Sequence, residues 1–122
     1  MAVTITPLGI GGNALRIVAD AVTNATSENN VNDGAATVYA VTIDNAANAA
    51  KEFVKFYNVA TPTVGTTDPD MILMITASVA RTFVFKTGNN FATALSFAAV
   101  TTGGTAGTTN PVSSVLVKIL VA

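Results

Sequence analysis

Apolar residues along this chain gather in short alternating runs, not in the three-to-four spacing of an amphipathic helix. Thr, Val, Ile, Phe and Tyr cluster between groups of Gly, Pro, Asn and Asp, at intervals of about ten residues, the pattern of an all-β domain. The first run spans Ala14 to Val22. A polar loop, Thr26 to Gly34, follows and closes on Asp33-Gly34. The second, Thr37 to Asp44, places Tyr39, Val41 and Ile43 on one face. The third, Lys51 to Val59, sets Val54 and Phe56 on one face and Phe53 and Tyr57 with Lys51 and Lys55 on the other. Met71 to Thr76 is apolar on both faces. Arg81 to Lys86 turns Phe83 and Phe85 inward and Thr82 and Lys86 outward. Thr93 to Thr101 offers Leu95, Phe97 and Ala99, and Ser114 to Val121 offers Val115, Val117, Ile119 and Val121.

Helix competes at Asn45–Lys55 and Asn90–Val100, which are rich in Ala, the best helix former. The run Phe53-Val54-Lys55-Phe56-Tyr57 and the Thr-rich flanks favour extended chain. Seven to eight short strands in one small domain bury a face each most economically as two packed sheets. The predicted fold is all-β, a two-sheet β-sandwich of jelly-roll or Greek-key type, with a closed barrel as the alternative. Residues 1–13 contain Gly and Pro and are predicted to form an N-terminal arm. Residues 14–122 are predicted to form a single β-sandwich domain.

Two pentapeptides nearly repeat: Gly65-Thr66-Thr67-Asp68-Pro69 and Gly107-Thr108-Thr109-Asn110-Pro111. Gly permits a tight turn, and Asp or Asn before Pro is pushed into extended chain. Two similar strand starts explain the echo more simply than a duplicated binding loop.

Composition changes the picture at the surface. Only 11% of residues are charged and 50% are hydrophobic, with a mean hydropathy of +0.53; an ordinary domain carries about 25% charged residues. Low charge suits a subunit that hides much of its surface in an assembly, because interface cores are depleted in charge. The last strand points Leu116, Lys118 and Leu120 outward, and the Met71–Thr76 strand carries Ile72 and Met74 opposite Met71, Leu73 and Ile75. A two-layer sandwich buries one face per strand, so something must cover the other. Leu116, Lys118, Leu120, Ile72 and Met74, together with Pro7 and Leu8 of the arm, are the predicted contacts with copies of the chain or with a larger partner.

Catalytic chemistry is scarce. The chain has no His and no Cys, which removes imidazole bases, thiol nucleophiles and most zinc or copper sites. Its five serines lie in no nucleophile motif, and no phosphate-cradling loop is present. Asp68 and Asp70, like Glu28 and Asp33, share a turn, but turn formation is the simpler role for them. Glu28, Asn30 and Asn32 imitate the start of an EF-hand loop, yet Asp33 stands where Gly is required and Tyr39 where the bidentate Glu should be. A looser oxygen-ligand site from Glu28, Asn30, Asn32 and Asp33 is the residual possibility. No catalytic residue, cofactor or metal is expected. With a net charge of −1 and scattered cations, no nucleic-acid footprint is visible. No apolar run reaches the roughly 18 residues of a membrane span, so no membrane partner is expected. The N-terminus lacks a signal-peptide pattern, which suggests synthesis in a cytoplasm.

The stretch Val38 to Ala122 resembles small virion structural proteins of tailed bacteriophages, of the capsid decoration or cement type. The resemblance rests on Lys55-Phe56-Tyr57-Asn58, on Pro62 to Pro69, on Thr82-Phe83-Val84-Phe85 with Gly88 and Phe91, and on Thr101 to Thr105 with Asn110-Pro111. It implies a non-enzymatic β-sandwich that forms a homotrimer on the capsid surface and clamps the major capsid protein or another virion protein, stabilising the shell. Related proteins also sit in tails, baseplates or fibres. A receptor- or carbohydrate-binding module using the 61–70 and 101–111 loops is the alternative; the absence of Trp counts against sugar stacking.

Overall fold

The computed structural model describes residues 3–8 and 15–122. Eight strands form: β1 (Val3–Pro7), β2 (Arg16–Thr23), β3 (Ala36–Asp44), β4 (Glu52–Tyr57), β5 (Met71–Ile75), β6 (Ala80–Phe91), β7 (Ser96–Val100) and β8 (Val115–Val121). Among the described residues there is no helix. The Ala-rich segments over which helix and strand competed therefore resolve as turns and strands.

The strands make two antiparallel sheets, a five-stranded one ordered β1-β2-β8-β3-β6 and a three-stranded one ordered β5-β4-β7. The segment before β3, which reads as a loop in the sequence, extends the smaller sheet. Glu28 and Phe97 exchange backbone hydrogen bonds of 2.8 and 3.0 Å, Ala99 N donates to Asn24 O and Val31 N to Leu95 O. With that segment counted, β2-β8-β3-β6 faces (24–31)-β7-β4-β5, the strand order of a jelly roll with β1 added at one edge.

The core lies between the sheets. Val18, Val38, Val41, Ile43, Val115, Val117, Ile119 and Val121 from the larger sheet meet Val54, Phe56, Ile75, Phe97 and Ala99 from the smaller, with Phe83 and Phe85 packed against them. The period-2 alternation of β8, with every odd residue buried, is the plainest sequence signal realised.

Two local features depart from the simple alternation. Register shifts between Val38 and Ala40, so Tyr39 leaves the buried face it was expected to share with Val41 and Ile43. Opposite Tyr39, β6 inserts residues 85–88 between Val84 and Asn89, and β6 runs on to Phe91, well past Lys86. In addition, β4 and β7 are buried on both faces from Val54 and Ser96 onward, because loops fold over the smaller sheet. The segment expected as an arm contains β1, which pairs with β2 from Val3↔Asp20 to Pro7↔Arg16; residues 1–2 and 9–14 lie outside the described residues.

Candidate functional site

Among the described residues, the outer face of the five-stranded sheet carries apolar side chains that are half-buried or exposed. Strand register sets its side chains in rows. One row runs Thr6–Ile17–Leu120–Ala40–Val84 and the next Thr4–Ala19–Lys118–Thr42–Thr82. A third holds Leu116, Asp44 and Ala80. An antiparallel sheet facing water normally carries polar side chains there. Here the first row is apolar from Ile17 to Val84, and Val84 is 72% exposed. Ile17, Ala40, Leu120 and Lys118 share an open groove of about 150 Å³. Beside it Leu15, Tyr39, Leu120 and Ala122 line a hollow of about 370 Å³. Displaced by the register shift, Tyr39 forms part of this outer surface. The charged side chains of the three rows are Lys118, which is exposed, and Asp44, whose Oδ1 accepts from Ala46 N at 2.9 Å.

The predicted contact residues divide among three places. Leu116, Lys118 and Leu120 lie together on the outer face of the larger sheet, the leucines half-buried. Ile72 and Met74 lie on the outer face of the smaller sheet, on the opposite side of the sandwich, beside Lys55 and Phe53; Met74 is 44% exposed. Pro7 and Leu8 sit at the end of β1, Pro7 exposed and Leu8 half-buried, with Leu8 N donating to Leu15 O at 3.0 Å. The residues that sequence reasoning passed over are Ile17, Tyr39, Ala40 and Val84. Ile17 and Val84 stand next to inward residues in runs that are apolar at both parities, the same signal that marked Leu116 and Leu120.

The two echoed loops close over the smaller sheet. Thr105 Oγ1 donates to Asp68 Oδ1 at 2.6 Å, and Gly65 lies against the Thr108 side chain. Beneath them Lys55, fully buried, donates to Thr105 O at 3.2 Å and Gly107 O at 2.9 Å. Burial lowers the pKa of its ammonium. Ser96 Oγ receives Asn30 N at 2.9 Å and donates to Val59 O at 2.6 Å. Asp70 Oδ2 accepts from Asn58 N at 2.7 Å. The carboxylates of this turn are thus engaged in holding loops.

The loose oxygen-ligand set is only partly engaged, since Asn32 Oδ1 is buried without a hydrogen-bond partner. Asn30 Oδ1 accepts from Gly34 N, Asn32 Nδ2 donates to Ala35 O, and Asp33 is exposed. Among the described residues, no group of three or more Asp or Glu side chains converges as a metal site. Burial, with the Asp20 charge adding to it, raises the pKa of Glu28.

At the end of the sandwich formed by residues 45–50, 76–79 and 110–114, Asn48 is the hub. Its Nδ2 donates to Asn45 Oδ1 and Ser113 O, its Oδ1 accepts from Ser113 N at 2.8 Å, and its carbonyl accepts from Ser78 N. No protein-family model, curated protein or solved structure matches the chain.

Proposed function

We propose that the chain is a non-enzymatic structural subunit that self-assembles, and that it serves as a capsid decoration or cement protein of a tailed phage. The observation that carries the assembly reading is the apolar row Ile17–Leu120–Ala40–Val84 across the outer face of the larger sheet, half-buried along its length and exposed at Val84 among the described residues. Removing the apolar area of such a face from water contributes about 25 cal/mol per Å². The phage setting comes from the resemblance, which implies a homotrimer on the capsid surface, bound to the major capsid protein or another virion protein after synthesis in the host cytoplasm. On such a lattice many modest contacts add through avidity. Light scattering after size exclusion tests the assembly reading: the expected mass is three times the 12.3 kDa chain, and a monomer at every concentration overturns it.

A second reading, a receptor- or carbohydrate-binding head of a tail, baseplate or fibre, draws support from the Asp68–Thr105 contact that joins the 61–70 and 101–111 loops into one surface. A glycan array with binding lost on changing those loops would promote it over the first.

A further inference from the structure

β5 is an edge of the smaller sheet. It pairs with β4 on one side, from Glu52↔Ile75 to Phe56↔Met71, and among the described residues no loop bonds to its backbone on the other. The strand is within reach of a partner, because Ile72 is 36% and Met74 44% exposed, while the core-facing Met71 and Leu73 stay half-buried. A row of free N–H and C=O groups is a template for a further strand, and sheets guard such edges with charge, proline or a bulge. The edges of the larger sheet are guarded: β1 is short and ends on Pro7, and β6 carries Arg81, Lys86 and the insertion opposite Tyr39. At the far side of the smaller sheet β7 is covered by the 24–31 segment. Met71-Ile72-Leu73-Met74-Ile75 has no charge, no proline and an unbroken register with β4.

The strand also matches itself. An antiparallel partner centred on Leu73 brings Met71 opposite Ile75, Ile72 opposite Met74, and Leu73 opposite its own copy. Every cross-strand pair is then apolar on both faces, and such pairs are the unit of sheet stabilisation. Asp70, the one charged residue between 70 and 76, falls opposite Thr76, so it meets no like charge. Its carboxylate already accepts from Asn58 N at 2.7 Å. A slip by one residue would set the core side of one strand against the outer side of the other. A slip by two toward Asp70 would bring its charge against Met74. Self-matching of this kind is what a two-fold contact requires, since both copies present the same patch.

We infer that β5 pairs antiparallel with β5 of a second copy about a two-fold axis at Leu73, joining the two smaller sheets into one continuous sheet. This contact goes beyond the trimer reading and uses a different surface from the outer face of the larger sheet. The chain has no Cys, so introduced thiols report on it alone. Ile72→Cys and Met74→Cys, at exposed positions, are oxidised with diamide separately and as an equimolar mixture, after thermal melts confirm that both are folded. Non-reducing electrophoresis and intact mass read the products. Directly opposed residues lie about 4.5–5.5 Å apart at Cα, within disulfide range, whereas like positions of the two copies lie on a diagonal of about 7–8 Å. The mixture should therefore give a mixed disulfide dimer at least roughly fivefold above the homodimer of either variant. Cross-linking no stronger in the mixture than in either variant alone overturns the contact and leaves the edge to a strand of another protein. Light scattering separates this inference from the trimer reading. A trimer without the mixed disulfide keeps self-assembly and loses this contact; the mixed disulfide with a mass that stops at two chains keeps this contact and loses the trimer.

Discussion

Lys55 Nζ donates to Gly107 O at 2.9 Å across a separation of 52 residues. That bond, with its companion to Thr105 O, holds the 101–109 loop down on the smaller sheet and explains how a lysine can be fully buried in a chain with few charges. Bonds from a charged donor contribute about 1.5–3 kcal/mol each, but the desolvation of the ammonium offsets much of this. Lys55→Met should therefore change global stability by only about 1 kcal/mol. The loop should respond more: the Thr101 amide, which donates to Thr109 O at 3.1 Å, should exchange with solvent about tenfold faster, as about 1.4 kcal/mol of lost local protection requires. Hydrogen exchange read residue by residue checks both numbers.

Gly107 belongs to the same clamp. A Cβ at this position would collide with the Thr102 backbone carbonyl oxygen and lie 2.6 Å from Thr102 Oγ1. Backbone cannot step aside as a side-chain tip can, so the turn must widen. Gly107→Ala should destabilise the protein by roughly 1–2 kcal/mol, read from denaturant midpoints at unchanged m-value.

Asn48 ties three loops through one buried amide. Asn48→Ala removes its bonds to Asn45 Oδ1, Ser113 O and Ser113 N and leaves buried partners without replacements. At about 1 kcal/mol per bond the loss is about 3 kcal/mol, which for a domain of this size lowers Tm by roughly 10 °C. Differential scanning calorimetry measures it directly.

Much of the fold was legible because β-branched and aromatic residues alternate. β8 shows it most clearly, with Val115, Val117, Ile119 and Val121 buried as the alternation requires. β1 was not legible: Val3–Pro7 is short, ends in a proline that only an edge position tolerates, and is placed by pairing with β2. Nor was the Tyr39 shift, since register between two strands is a property of the pair. The double burial of β4 and β7 arises from loops that fold back, a long-range event that no local pattern records. At the candidate surface, Leu116, Lys118 and Leu120 were visible from parity alone. The row that joins Leu120 to Ile17 and Val84 needed the strand order.

Burial holds the Glu52 carboxyl above its ordinary value of 4.5. The unfolded chain releases this proton near that value, while the folded chain keeps it to higher pH. Within that window the folded state binds more protons, so this group lowers stability as pH rises through it. Glu52→Gln should flatten the fall, and urea denaturation from pH 4 to pH 8 on wild type and the variant isolates the difference.

Leu120 connects the two hollows of the outer sheet face, one with Ile17, Ala40 and Lys118 and one with Leu15, Tyr39 and Ala122. Replacing it with lysine puts a second ammonium beside Lys118 in the middle of the apolar row. The lysine stem can reach water in a monomer, so the fold should lose no more than about 1 kcal/mol. In an assembly that covers this face the new charge would be buried without a partner, at a cost of several kcal/mol. Leu120→Lys should thus reduce the mass seen by light scattering to that of the single chain while far-UV circular dichroism keeps its β signature, with the melt falling only by the association energy lost. Met74→Lys, on the opposite side of the sandwich, serves as the comparison. If it dissociates the assembly and Leu120→Lys does not, the covered surface is the outer face of the smaller sheet.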